Sequence, residues 1–464
     1  MFSPSADTQG AFSMQATSAR RGLYHTLFSL MLPIVLQNLL SAVVNSADVF
    51  MLSSVSQSAL SAASLAGQVT FVLTLFHWSI TTGTTILAAQ YYGKDDRGVI
   101  RLVQGLGFDV LMAVSAVFFF ACLLIPQPLM RLFTDDPALI PLGASFLRVL
   151  GVSYLPMSAS QVFLSIFKSM GQTRRSAAIT TICLLTNITL NFISIRVLFP
   201  DDPRMAMTGV ALSTVIARLI ELLLCLSAMH SSSGVPFSMS DCTRVPKWLI
   251  RDFTGYTLPV QMNNLIYGVA LASLTAIMGH LSSDMVSANA IAANLRDLTT
   301  VACMALGTAG SILLGQEMGA GRMESARSLG KTLLWLSLLM GAAAGALLML
   351  VRTPVLLLSG LTGEAASLLS MMLPINALYC IGRSFNSCLI SGIFCAGGDT
   401  RFGVYLDFIT MWIIVLPLSY LSAFVFDCRA IVIYAFLNLD EFIKMIPSAW
   451  RFGRYKWLRN LTRS

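Results

Sequence analysis

The feature that most constrains this chain is the recurrence of apolar stretches long enough to cross a bilayer. Residues 32–52, LPIVLQNLLSAVVNSADVFML, are typical, apolar almost throughout yet carrying Pro33 near one end and Asp48 near the other. A spanning helix needs roughly 20 mostly apolar residues, and such stretches follow one another along nearly the whole sequence. In lipid every backbone polar group must be bonded internally, which leaves helices or closed barrels. These segments are too long and alternate too poorly for barrel strands. Hydrophobic residues make up 56% and charged residues 11% of the chain, against roughly 25% charged in soluble domains. The mean hydropathy is +0.75. An all-α polytopic membrane protein is predicted.

The opening residues MFSPSADTQGAFSMQATSARR hold no continuous apolar run, so no cleavable signal peptide is expected. Nine cysteines lie mostly in apolar segments without a CxxC pair. They read as reduced core residues rather than a disulfide framework.

Twelve helices are expected, near residues 24–52, 59–91, 99–125, 137–168, 175–199, 206–229, 248–280, 286–316, 325–351, 364–395, 402–425 and 428–450. Basic residues concentrate on one side: Lys94, Arg97 and Arg101, then Lys168, Arg174 and Arg175, then Arg322, Arg327 and Arg401, together with both termini. By the positive-inside rule both termini are cytoplasmic in a multi-pass protein of the plasma membrane. The net charge of +8 is explained by this asymmetry and by contact with anionic lipid, so no nucleic-acid partner is implied.

The chain repeats itself. LPIVLQNLLSAVV at Leu32 matches LPVQMNNLIYGVA at Leu258, 226 residues later, and at that offset AAQYYG meets LGQEMG, pairing Gln90 with Gln316 and Gly93 with Gly319. One residue later in register, GQTRR at Gly171 pairs with GDTRF at Gly398. The halves are diverged copies of a six-helix unit, and an even number of spans gives both the same sense in the membrane. The predicted fold is therefore twelve transmembrane helices in two pseudo-symmetric six-helix lobes around a central cleft. The expected divisions are a tail over 1–22, lobes over 23–229 and 248–450, a Ser- and Pro-bearing cytoplasmic linker over 230–247, and a basic tail over 451–464.

No Walker-type loop, HExxH or GxSxG occurs, and the four histidines are isolated at His25, His77, His230 and His280. Catalysis is not expected, and no cofactor is implied. A duplicated helical bundle without a nucleotide module points to a secondary transporter. Asp48 stands out because an ionised carboxylate at such depth costs a few kcal/mol or more and is functional by default. Asn187 and Asn191 sit one turn apart on the fifth helix, and Pro33 is placed to bend the first. The structural alternatives are a buried polar partner for Asp48, interhelical packing by the asparagines, and a fixed kink at Pro33. Arg218 with Glu221, Arg296 with Asp297, and Asp440 and Glu441 with Lys444 read as neutralising groups.

The early proline followed by aspartate, the GQT and GDT turns, NITLN in the fifth helix, GVALSTVIARLIE in the sixth and NLDEFIKMIPSAWRFGRYKWLRN at the end together resemble the MATE family, multidrug and toxic compound extrusion transporters. The resemblance implies an antiporter that expels organic cations or drugs while H⁺ or Na⁺ enters. It further implies that Asp48 binds the coupling cation, in a site completed by Asn187, Asn191 and Thr214, with Asn191 where an aspartate is usual. The sodium-coupled branch of the family also places acids in the seventh and tenth helices. There this chain has Asn263, Asn264 and Tyr267, then Arg383, Ser384 and Asn386. Coupling is therefore expected in the N-terminal lobe, with Tyr267 and Arg383 as C-lobe cleft residues and Arg383 an internal positive charge in place of an ion. The expected partners are small cationic molecules and the bilayer, and the chain is expected to act as a monomer. The rival reading is a lipid-linked precursor flippase, whose anionic substrate would demand basic residues lining the cleft.

Overall fold

The computed structural model describes residues 6–53, 55–230 and 235–463, apart from the side chains of residues 6–21, 23, 45, 46, 48–50, 53, 239 and 243. The described chain is helical throughout its apolar stretches. Ten helices are long and apolar enough to cross a membrane: Tyr24–Val44, Gln57–Gly93, Arg97–Leu124, Thr173–Leu198, Pro203–Met229, Lys247–Leu281, Ser283–Gly319, Met323–Leu350, Gly363–Phe394 and Thr400–Phe424. An eleventh span is the pair Leu139–Val152 and Tyr154–Ser169, bent by 44°. Pro156 lies just past the bend, where its ring denies the preceding turn a backbone hydrogen bond. The last span is also broken, into Ala430–Leu437 and Asp440–Gly453. In chain order these are the first to twelfth spans. The first belongs to a longer helix, Ala6–Ser53, which runs through Pro33 and through the expected boundary at residue 22.

Capping follows the internal repeat. Ser56 and Ser282 both sit in extended conformation before the second and eighth spans and accept from Ala59 N and Met285 N. Each satisfies an otherwise orphaned helix N–H. At the other ends of the second, fourth, eighth and tenth spans, four turns reverse the chain through Asp95, Gly171, Gly321 and Gly398, all at positive φ. Each turn closes with a backbone bond back to the last helical turn: Asp96 N to Tyr91 O, Gln172 N to Phe167 O, Arg322 N to Glu317 O and Asp399 N to Phe394 O, at 2.8–2.9 Å. This is the Schellman arrangement that stops a helix. These turns bear the basic residues and define the basic end of the bundle.

Small residues set the closest helix approaches. A Cβ on Gly341 would lie 2.8 Å from Ile381 Cα, and one on Gly345 would lie 2.4 Å from Ala377 O. The GAAAG stretch thus brings the ninth and tenth spans together as membrane helices pack. Val117, Leu124, Trp335, Leu339 and Tyr405 stay exposed, as a lipid-facing perimeter requires. All nine cysteines are free, seven of them buried.

The hydrophobic cores explain how the lobes meet. One cluster joins Leu27, Leu30, Met31 and Ile34 of the first span to Ala305, Ala309 and Ile312 of the eighth and Phe394 of the tenth. Toward the other end the cores separate. Leu73, Leu147, Tyr154 and Ala211 belong to a cluster of N-terminal residues alone, while Leu274, Met285, Leu369 and Tyr434 belong to one of C-terminal residues alone. The lobes are fused at the basic end and part away from it.

Candidate transport site

Two glutamines seal the basic end. Gln90, on the last turn of the second span, donates to Ala396 O at 2.7 Å. Gln316, its repeat partner on the eighth, donates to Ser169 O at 2.7 Å. Ala396 and Ser169 are themselves related by the repeat, so the two bonds form a pseudo-symmetric pair across the lobes. Between them the second and eighth spans cross at glycine: a Cβ on Gly93 would sit 2.0 Å from Gln316 O, and one on Gly319 would sit 1.8 Å from Gln90 O. The C-terminal residues strap this crossing. Leu461 N donates to Gln90 Oε1 at 2.6 Å, Arg463 N to Tyr91 OH at 3.2 Å, and the Arg463 guanidinium pairs with Asp252 at 2.8 Å. Trp457 is fully buried beneath the strap.

Inward of this seal lies a cavity of about 690 Å³ lined by both lobes, including Gln37, Thr81, Gln161 and Lys168 from one and Asn264 and Arg383 from the other. Asn264 Nδ2 donates to Ser79 Oγ at 2.9 Å across the lobes. The lining mixes hydroxyls and amides with Trp78, Val260, Val301 and Met304, a surface for an amphiphilic guest of drug size.

The N-lobe polar group gathers three of the residues singled out from the sequence. Asn187 Nδ2 donates to Thr214 Oγ1 at 3.2 Å, and Asn191 Nδ2 donates to Asn187 Oδ1 at 3.3 Å. Both asparagines are buried, held by the one-turn spacing of the fifth span against the sixth. The side chain of Asp48 lies outside the described residues. Gln37 donates to Thr180 Oγ1 at 3.1 Å, tying the first span to the fifth. Arg218 and the fully buried Glu221 pair at 2.9 Å, and His77 Nε2 meets Ser158 Oγ at 2.9 Å.

The C-lobe holds a larger charged network. Lys444 Nζ lies 3.0 Å from Asp440, 3.2 Å from Asp407 and 3.5 Å from Glu441, with all four side chains under 10% exposed. Arg383 shares Glu441 at 3.6 Å and donates to Tyr267 OH at 3.3 Å, which brings the two expected C-lobe residues together. Asn263 donates to Asp407 Oδ2 at 2.8 Å, and Asn386 donates to Glu441 Oε2 at 2.8 Å. The Lys444 ammonium also faces the Tyr267 ring. Two cations thus hold three carboxylates.

Sequence reading missed two members of these sites. Asp407 has no charged residue within one turn of it along the eleventh span, so nothing in the local pattern ties it to Lys444. In sequence Lys168 falls with the basic loop residues because it stands one residue from a helix end, whereas its side chain lines the cavity. The one available signal was spacing: Gln161, Ser165 and Lys168 recur at helical intervals on a single face.

Two helical lobes fused at one end, with a mixed polar and apolar cavity between them, define a polytopic membrane transporter. The MatE family model matches residues 33–193 and 259–421, one segment in each half of the repeat. The chain belongs to that family, whose members are transporters. It is 26% identical over 455 residues to the uncharacterized transporter YisQ of Bacillus subtilis (strain 168), covering 97% of this chain and 99% of that protein. It is 24% identical over 405 residues to the multidrug resistance protein MdtK of Edwardsiella ictaluri (strain 93-146), covering 86% and 87%. Among solved structures it resembles an outward-facing multidrug resistance MATE family transporter, with TM-score 0.82, 16% identity, and 93% and 96% of the two chains covered. A transporter from Pyrococcus furiosus described as having a binding pocket of reverse polarity matches with TM-score 0.83 at 16% identity over the same shares. At these identities the structural likeness shows the fold, with twelve membrane helices in two lobes.

Proposed function

We propose that this protein is a secondary active antiporter of the plasma membrane that exports drug-sized organic cations in exchange for H⁺ or Na⁺. The observation that carries the reading is the cavity between lobes whose cores join at the basic end and part at the other. With the basic end in the cytoplasm, this is an outward-facing arrangement. Alternating access follows if the glutamine seal opens while the opposite ends close, a rocking motion suited to two repeats. The names of its multidrug resistance relatives support drugs as the cargo.

Coupling falls to Asp48 together with the polar group of Asn187, Asn191 and Thr214. A proton or Na⁺ neutralises Asp48, the first span rebends at Pro33, and a bound cation loses its counter-charge. No cofactor is required, both termini are cytoplasmic, and one chain forms the complete pathway. Lys168 and Arg383 are the kind of basic lining a lipid-linked precursor would demand, but the cavity volume matches a drug-sized guest.

The test is efflux of a fluorescent cationic dye from vesicles, comparing the native protein with Asp48→Asn under an H⁺ gradient and then an Na⁺ gradient. Transport by the native protein alone, under one gradient alone, identifies the coupling residue and the ion. Equal transport by both proteins assigns Asp48 a structural role, and no transport of any dye removes the drug-export reading.

A further inference from the structure

We propose that the cavity recognises its guest partly through an anionic group, a carboxylate, sulfonate or phosphate, received by Lys168, so that preferred substrates are zwitterions rather than simple cations. This rests on the transporter reading above and specifies its cargo.

Lys168 lies on the cavity face of the fourth span with Gln161 and Ser165. Its neighbour Ser169 supplies the carbonyl that Gln316 closes against, so the ammonium sits just inside the seal. It takes part in none of the ion pairs of the described residues. Glu221, on the sixth span, is already held by Arg218 at 2.9 Å.

The other charges around the cavity are compensated. Arg383 has Glu441, and Asp297, the one lining carboxylate among the described residues, has Arg296 at 3.5 Å. The backbone at residue 48 is remote from Lys168. Gly171, three residues past Lys168, faces Leu30 of the first span, and residue 48 lies on the order of 25 Å further along that helix at its rise per residue.

An uncompensated ammonium within the membrane is unfavourable, and a guest lacking an acid leaves it so. A guest carrying one forms a charge-assisted hydrogen bond in a pocket partly shielded from water, where such bonds are strongest. Arg383, with its Nε buried and unbonded, leaves a spare hydrogen-bond donor on the opposite lobe. Thr81, Thr85 and Asn264 supply further polar groups for the rest of the guest.

The test uses a matched pair of rhodamine dyes, one with a free carboxylate and the other its methyl ester, which share the same xanthene cation. Binding to the purified full-length protein in nanodiscs is read by fluorescence anisotropy at neutral pH. Native protein should bind the free acid about tenfold to a hundredfold more tightly than the ester, the span expected for one charge-assisted bond. Lys168→Gln should lose that preference, with a native-like unfolding temperature in detergent showing that the variant is folded, and Lys168→Arg should keep it. Equal or tighter binding of the ester by the native protein overturns the inference and leaves the transporter reading intact. An equal loss of both dyes in Lys168→Gln also overturns it. Binding of neither dye by the native protein removes both readings.

Discussion

Gln90 and Gln316 stand in equivalent positions of the two repeats, and each donates its side-chain amide to a main-chain carbonyl of the opposite lobe, Ala396 and Ser169, both at 2.7 Å. The seal is therefore built twice from one ancestral device, and a glutamine is well suited to it. Its amide bonds a carbonyl whose position is set by helix packing, without introducing a charge that would need desolvation on each closure.

The two glutamines are not equally loaded. Gln90 also donates to Arg459 O at 3.2 Å and accepts from Leu461 N, whereas the one side-chain bond described for Gln316 goes to Ser169 O. With each neutral hydrogen bond contributing about 1 kcal/mol, Gln90→Ala should populate a separated basic end more than Gln316→Ala. Spin labels at Arg174 and Arg401, exposed in the first turns of the fifth and eleventh spans, read this as a longer distance component. Identical distance distributions in both variants and the native protein would remove the seal its role.

The glycine crossing is less forgiving than the hydrogen bonds. Because a Cβ at Gly319 would fall 1.8 Å from Gln90 O and one at Gly93 would fall 2.0 Å from Gln316 O, both against backbone, Gly319→Ala and Gly93→Ala force the two helices apart. Each should hold the basic end open and slow dye efflux more than Gln90→Ala. Gly453→Ala, where a Cβ meets nothing within 4 Å, is the neutral control. Native-like distances in Gly319→Ala would contradict the crossing.

In the C-lobe network, Lys444→Met and Asp407→Asn should differ sharply. The first leaves three buried carboxylates with Arg383 alone, and breaking a buried pair by removing one partner costs about 3–5 kcal/mol. The second keeps Lys444 beside Asp440 and Glu441 and should cost much less. Thermal unfolding in detergent compares them, and equal losses would show that Asp407 is as necessary as its cation.

In the segment joining the lobes, Cys242 has its thiol pushed up to about 11, first by burial and then by the hydrogen bond and charge of Asp109. Below that pH the thiol stays protonated, and since the thiolate is the nucleophile, alkylation by iodoacetamide should be slow at neutral pH and rise as pH approaches about 11. Asp109→Asn should speed it at neutral pH, and a rate matching that of a free thiol would show that the segment does not pack on the third span. Arg101 and Asp241, paired at 3.1 Å, hold the same contact.

Much of this was legible along the chain. The offset that pairs Gln90 with Gln316 was readable because the repeats keep their spacing, and the same offset governs the Ser56 and Ser282 caps and the αL turns at Asp95 and Gly321. Asn187 and Asn191 were legible as a unit because residues four apart share a helix face. Lys168 was not, since closeness to a helix end says nothing about whether a long side chain turns outward to water or back into a cleft. Asp407 was not either, because its partner is 37 residues away on another helix.

The sequence alone determined that the chain lives in a membrane as two copies of a six-helix unit, with the basic residues on one side. Hydropathy, charge asymmetry and repetition are properties of the chain itself and act on each segment independently of how the segments pack. Only the tertiary structure decided which end is closed, that Gln90 and Gln316 close it, and that Lys168 takes part in no ion pair among the described residues. Those outcomes depend on which faces of distant helices meet, a matter of small-residue contacts and shared polar partners that no single segment encodes.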